Sequence, residues 1–582
     1  MAESIISPGV FQRENDISFV QPAPVEAGAA FIGPTVKGPV EIPTVVTSYG
    51  EYQRKFGDTF ESGSAKHEFL TSMAVKNYFD QGGNSALVTR VVNGTFSSAE
   101  NSFISASDYG DGSTQPFQIE TLGEGVIFNN STGSEDPGAE NSDGSLVSGS
   151  VDNLRWEIAN VNQNQGTFSL LVRRGDDSEK SKVVLESFNG LSLDPNSDNY
   201  IERIIGNQTQ TLNTADGGYI QTSGEFINRS NYIRVSSVNI KTLNYLSTDG
   251  VTINSGPSGS YTGSLPVETS GAFHSAQGGV QDGAELFDAI GTTSGETQGL
   301  AQADYDDVIT LLGNKDDYQF NIITAPGLIG TEHSTQVNNI VSLAETRGDC
   351  IAVIDPVTYE TTVANAAAEG AIYNSSYAAA YWPWLQMRSA TGKNEWVPAS
   401  VVIPGVYNFT DNSSAPWFAP AGLVRGGITG VIQAERKLTR THRDTLYSNK
   451  INPIATFPGQ GIAVFGQKTL QTKPSALDRV NVRRLLIELK KFIGDQSRNL
   501  IFEQNTTATR NRFLATVNPY LESVVQRQGL FAYRVVMDDT NNTADVVDRN
   551  QLVGQILIQP AKTAEFVVLD FTIEPTGATF GG

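Results

Sequence analysis

The stretch from Ser475 to Ile573 limits the fold of this chain more than any other. Ser475 and Asp478 have the spacing of a helix start, where a serine oxygen accepts from a first-turn amide and a carboxylate meets the positive end of the helix dipole. At ~100° per residue, Val482, Leu485, Leu486, Leu489, Phe492 and Ile493 fall on one stripe about half a turn wide, which requires a core to face. Arg479, Arg483, Arg484, Lys490, Lys491 and Arg498 fall on the opposite half of the same wheel and predict an exposed basic face. A second helix is expected from Thr507 to Gln526. Three runs rich in β-branched and aromatic residues follow, Leu530–Met537, Gln551–Ile558 and Ala564–Ile573, and read as strands. Together these elements predict a small α+β module.

At 582 residues the chain is too long for one ordinary core, so several domains are expected. No apolar run approaches the ~20 residues that span a bilayer, and MAESIISPGVFQRENDISF has neither a charged n-region nor an apolar h-region. Assembly in a cytoplasm without membrane insertion is expected. The formal net charge of −23 argues against broad nucleic-acid binding. The charge is unevenly placed: 22 Asp and Glu oppose 9 Lys and Arg from Gly94 to Val280, whereas 10 basic residues oppose 5 acidic ones from Lys473 to Arg527.

From the N-terminus, Ile5, Ile6, Val10, Phe11, Ile17, Phe19 and Val20 show no helical period and are broken by Pro8 and Gly9. This is an extended arm, either a disordered terminus or a strand that adds to another sheet edge. Ala29–Gly57 reads as a strand, a Gly/Pro loop, and a second strand entering a helical turn. Within it GPTVKG imitates a phosphate loop only superficially, since no hydroxyl follows a final lysine and Pro34 and Pro39 remove amides that such a cradle uses. Lys66–Asp80 has helical spacing, stops on Gly82–Gly83 and leads to a strand at Ala86–Val92. From Gly94 to about Val280 short strand-like runs separated by Gly, Ser, Asn and Asp predict an all-β sandwich or barrel.

Between Ala301 and Gly430 helix and strand patterns alternate: Tyr305–Leu312, Phe320–Thr324, Thr335–Glu345, Cys350–Ile354. Parallel strands with crossover helices follow. Asn321–Gly330 sits after a strand end, where α/β proteins bind ligands, and is the best place in the chain for an enzyme site. Its surroundings do not support one. The four histidines, His67, His274, His333 and His442, are scattered, there is no CxxC and no GxSxG, and Asp349 and Asp355 simply flank a strand. No catalysis, metal or cofactor is expected. Cys350, the single cysteine, reads as a buried strand residue. The tripeptides Arg174–Gly175–Asp176 and Arg347–Gly348–Asp349 carry no adhesion role in a chain with no export signal. The aromatic segments Tyr377–Trp384 and Glu395–Gly422 read as core or interface.

Several strings resemble one family: GPTVKGPV from Gly33, INP at Ile451–Pro453, DRVNVRRL at Asp478–Leu485, IFEQN at Ile501–Asn505, YRVVMDDTNNT at Tyr533–Thr543, DRN at Asp548–Asn550 and IQPA at Ile558–Ala561. Their order and spacing are similar to contractile tail sheath proteins of T-even-like myophages and related contractile injection systems. The resemblance implies an α+β and α/β multidomain chain. Its conserved sheath domain is split between N- and C-terminal portions, with an inserted α/β domain and an inserted β-rich outer domain. The expected divisions are an arm at 1–28, the N-terminal portion of the sheath domain at 29–93, the β-rich insertion at 94–280, the α/β domain at 281–435 and a C-terminal module at 436–582. It further implies a helical homopolymer around an inner tail tube, contacts with baseplate and tail terminator proteins, a place in a virion tail, and contraction without nucleotide. Linker strands would involve Ile5, Val10, Phe11, Phe19 and Val20 at one end and Val567, Leu569, Phe571 and Ile573 at the other. We expect Arg479, Arg483, Arg484, Lys490 and Lys491 to face the tube, with a merely solvated face or pairing to acidic domains as the plain alternative. A receptor- or glycan-binding virion protein is the alternative function.

Overall fold

The computed structural model describes residues 26–62, 65–101, 115–129, 140–215, 218–247, 251–254, 265–278 and 296–565. In chain order, strand β1 (Glu26–Gly33) and β2 (Thr44–Val46) lead to helices α1 (Tyr49–Phe56) and α2 (Leu70–Asp80), then β3 (Ala86–Arg90). Ser48 caps α1 by accepting from the Glu51 amide. Helix α2 starts later than its periodicity predicts. Ala65–Glu68 is extended instead, pairing antiparallel with Thr59–Ser62 so that Phe60 faces His67 and Thr59 faces Glu68. Ladder bonds thus override helical spacing in those four residues.

Seven strands follow: β4 (Ser98–Asn101), β5 (Phe117–Glu124), β6 (Leu154–Asn162), β7 (Thr167–Arg174), β8 (Val184–Ser192), β9 (Ile233–Val238) and β10 (Thr269–His274). They form one antiparallel sheet in the order β8-β7-β6-β10-β4-β5-β9. Alternation is visible in β5, whose Phe117, Ile119 and Thr121 are buried while the residues between are partly open. Trp156, Phe168, Leu170, Val172, Ile201 and Ile233 build its core. Arg174 and Asp176 pair with each other, as do Arg347 and Asp349 at 2.8 Å, so both RGD tripeptides are closed local turns.

The chain then returns to the first layer with β11 (Gln319–Thr324), α3 (Ser334–Arg347), β12 (Ile351–Ile354), α4 (Val363–Ile372), β13 (Ala378–Trp382), α5 (Ile403–Ser413), α6 (Arg440–Ser448), β14 (Ile451–Phe457) and β15 (Gly461–Val464). The eight-stranded sheet runs β2-β3-β1-β11-β12-β13-β14-β15. Its six central strands are parallel, and β2 and β15 are antiparallel edges. Residues 29–93 and 281–435, expected as separate units, therefore share one sheet: β1 pairs with β3 on one side and with β11 on the other. Both faces are covered, so the strands need apolar residues at every position. Phe31, Ile351 and Val353 point into a core with α1, α2 and α5, while Ile32, Ala352 and Ile354 point into a second core with α3, α4 and α6.

The C-terminal module consists of α7 (Val480–Arg498), α8 (Thr507–Gln526) and the antiparallel ribbon β16 (Leu530–Val536) and β17 (Gln555–Pro560). Ser475 caps a short 3-10 turn at Ala476–Asp478, one step before α7.

A different joint connects the first layer to the seven-stranded sheet. Arg90, fully buried, donates to the carbonyls of Gly38 (2.7 Å) and Glu124 (2.6 Å), and the Glu124 carboxylate accepts from the Val40 amide at 2.8 Å. Gly38 has φ +105°, and a Cβ there would lie 2.8 Å from the Lys55 carbonyl, so only glycine fits. Lys37 reaches Asp152 at 3.5 Å across a cleft of about 1150 Å³ between the two domains. GPTVKG is thus a packed turn at the joint, with the Lys37 amide donating to the Phe56 carbonyl.

Candidate functional site

The C-terminal module offers the features with the clearest functional meaning. Its ribbon packs Tyr533, Val535, Ile556 and Ile558 against a core of Leu485, Leu489, Phe513, Val517, Leu521 and Val524. The opposite face carries Phe531 and Leu557, 71% and 48% exposed. Among the described residues β16 and β17 pair only with each other, so each presents an outer row of backbone donors and acceptors. Two strands alone make a marginal sheet, and free edges of this kind accept further strands.

Of the five basic residues expected to face a partner, two are buried. Arg483 and Arg484 are each 4% exposed. Arg483 lies over the Tyr377 ring at 3.9 Å and donates to the Ser376 carbonyl at 3.2 Å. Arg484 pairs with Asp411 and lies 4.7 Å from the Tyr407 ring, whose hydroxyl shares a 2.6 Å hydrogen bond with Tyr381. The expectation of one exposed basic face is corrected: the first half of α7 is buried almost all round, because the helix runs between the sheet layer and its own module. Val480 and Ile487 belong to the sheet's core, Leu485 and Leu489 to the module's. A guanidinium tolerates that position when its plane stacks on an aromatic ring and a carboxylate or carbonyl meets it, although one terminal nitrogen of Arg484 has no hydrogen-bond partner. Arg479 is half-buried and bound to Glu565, while Lys490 is exposed, its Nζ donating to the Tyr377 hydroxyl at 3.0 Å, and Lys491 is half-buried. Aromatic density at Tyr377–Trp384 was the available signal for this latch, since stacking surfaces are what buried arginines need.

The linker-strand residues Ile5, Val10, Phe11, Phe19, Val20, Val567, Leu569, Phe571 and Ile573 lie outside the described residues. The chain's approach to the second group is well defined. Glu565 receives Arg479 Nε at 2.7 Å and a terminal guanidinium nitrogen at 3.0 Å, Tyr447 Oη at 2.8 Å and Gln467 Nε2 at 3.0 Å. Burial alone would raise this carboxyl, but these donors hold it below its ordinary value.

The strand ends at Asn321–Gly330 are filled by the chain itself. The Ile329 amide donates to His333 Nδ1 at 2.9 Å, and Gly330 donates to the Asp355 carbonyl at 2.8 Å. Burial pushes the Asp355 carboxyl up to about 7, against the lowering effect of its bonds from the Ser400 hydroxyl and amide. Cys350 is buried, and burial pushes its thiol up to about 12, which leaves it unreactive.

Comparison with known proteins places this geometry. Residues 298–470 match the family model for the phage tail sheath protein central domain, and residues 472–574 match that for the phage tail sheath C-terminal domain. This stretch of the chain is similar to phage tail sheath proteins in both of those domains. The tail sheath protein of Vibrio phage KVP40 is 43% identical over 188 residues, covering 32% of this chain and 28% of that protein. The tail sheath protein of Enterobacteria phage T4 is 35% identical over 265 residues, covering 42% and 40%. The chain thus spans less than half the length of these two curated relatives. A crystal structure of a sheath tail protein from Listeria innocua shares the fold at a TM-score of 0.51, with 10% identity over 92% of this chain and 96% of that one. The latch, the ribbon and Glu565 all fall inside the matched sheath domains, and these matches do not favour a receptor- or glycan-binding protein.

Proposed function

We propose that this protein is the structural subunit of a contractile tail sheath, polymerising as a helix around an inner tube and driving that tube through a target envelope by rigid-body rearrangement of its subunits. The observation that carries the reading is the two-stranded ribbon with both outer edges unpaired among the described residues, in a module that matches the sheath C-terminal domain. A strand from each neighbour completes such a sheet through backbone bonds, which survive large rotations because they depend on the ribbon and not on side-chain fit. Head-to-tail contacts of this kind do not close and generate an open helix.

The expected linker segments 4–20 and 564–573, the latter continuing beyond the anchored Glu565, supply those strands in this proposal. The finer architecture belongs to it too: a sheath domain split in the sequence, with the β-rich domain set between its strands and facing outward. So do the partners, an inner tube, baseplate and terminator proteins, and a place in the virion tail after assembly in the host cytoplasm. Work comes from lattice contacts and not from catalysis: a gain of ~1–3 kcal/mol per subunit adds up along a sheath. Of the basic residues, Lys490 and Lys491 keep the tube-facing role.

Electron microscopy of the purified full chain tests the reading. Tubes are expected from the native sequence. Truncation after Glu565, which removes one segment proposed to supply such a strand, is expected to reduce tube formation while leaving the monomer folded. A native chain that stays monomeric at high concentration refutes the proposal.

A further inference from the structure

After β17 ends at Pro560, five residues cross from the module to the sheet layer. Ala561 is still tied to the ribbon's start, its amide donating to the Gly529 carbonyl at 3.1 Å. Four residues later Glu565 is seated against α6 and the N-terminus of α7, held by four donors from Arg479, Tyr447 and Gln467. Gln467 also donates to Thr563 Oγ1 at 2.5 Å. The Arg479 contact is a two-pronged fork, the strongest geometry a guanidinium and a carboxylate can form. Between these fixed points Lys562 is exposed.

We infer that Glu565 and Arg479 form a clamp that anchors the 561–565 strap to the body of the subunit and fixes the point from which residues 566–582 continue. The mechanical consequence, which rests on the sheath reading, concerns where tension goes. A pull on residues beyond Pro560 without a clamp peels β17 from β16 one hydrogen bond at a time. With the clamp, the pull enters α7 at Arg479 and passes through Arg483 and Arg484 to Tyr377, Asp411 and the sheet, so the whole subunit turns and the ribbon stays paired. Glu565, Tyr447 and Gln467 act here as positioning residues for the strap.

Trypsin cleavage of the full-length monomer after Lys562 tests the clamp without any assembly. In Glu565→Gln the thermal midpoint should stay near the native value while cleavage becomes about tenfold faster, because one charge-assisted fork no longer holds the closed state. Arg479→Lys keeps the charge and loses the fork, so an intermediate rate is expected. A folded Glu565→Gln protein cut at the native rate overturns the inference. Should that variant fail to fold, a native cleavage rate in Arg479→Lys overturns it equally. Tube formation by the native chain in the same preparations reports on the sheath reading separately, since it tests polymerisation and not strap release.

Discussion

Where the C-terminal module meets the eight-stranded sheet, a single helix belongs to two cores. Val480 and Ile487 pack with the sheet, Leu485 and Leu489 with the module, and the pair of buried Arg484 with Asp411 closes the seam. Where the β-rich domain meets the same sheet, polar contacts dominate instead: Arg90 on two carbonyls, Glu124 on the Val40 amide, and Lys37 reaching Asp152 beside an open cleft. The difference teaches which regions of the subunit travel together. A seam shared by two apolar cores has no low-cost way to slide, because each displaced side chain opens a cavity. A joint made of a few polar contacts beside a cleft can open by breaking those bonds together, although Arg90 and Glu124 are themselves buried while it is closed. We therefore expect the module and the sheet to behave as one body and the β-rich domain to be the unit that swings.

The largest test is Arg484→Ala, which removes a buried guanidinium stacked on Tyr407 and leaves the half-buried Asp411 carboxylate without its partner. A loss of about 3–5 kcal/mol is expected in denaturant unfolding. A loss below ~1 kcal/mol would remove the distinction between the two seams.

The second test separates the polar joint by pH. Burial raises Glu124 to about 7, outweighing the Val40 amide bond and the nearby Arg234 and Arg90 charges that lower it. Above the ordinary carboxyl pKa and below about 7, the folded state keeps a proton that the unfolded state has released, so this group's contribution to stability declines as pH rises through that window. Glu124→Gln should flatten that decline by about 3 kcal/mol in stability measured from pH 4 to 8. An unchanged slope would show that Glu124 does not govern the joint.

The smallest effect is expected from Lys37→Ala. The Lys37 and Asp152 side chains are 15% and 21% exposed, and such a pair is worth ~0–1 kcal/mol and is screened by salt. The difference in unfolding free energy between the native chain and the variant should shrink from low to high salt.

How much was legible in the sequence differs along the same divide. Helix α8 spans Thr507–Gln526 as its pattern predicts, and the alternating elements after Ala301 give parallel strands, because periodicity reports one-sided and two-sided burial directly. The apolar stripe of α7 was legible for the same reason. Its arginines were not: a helical wheel treats charge as exposure, whereas Arg483 and Arg484 are buried by rings that lie about 75 to 110 residues away in the chain. Shared membership of the big sheet was hidden likewise, since pairing between β1 and β11 leaves no local trace. Glu565 carries no motif at all, and its significance comes only from four donors that the fold gathers around it.

The position of β1 has a consequence during synthesis. It lies between β3 and β11, and its partner Gln319 follows Glu26 by roughly 290 residues. At ~5–20 residues per second a ribosome needs roughly 15–60 s to deliver that partner, and until then one flank of β1 stays unsatisfied. Nascent chains must wait with the first strands incomplete while the whole β-rich domain emerges and folds. That delay keeps the eight-stranded sheet from closing around β1 until more than half of the polypeptide has been made.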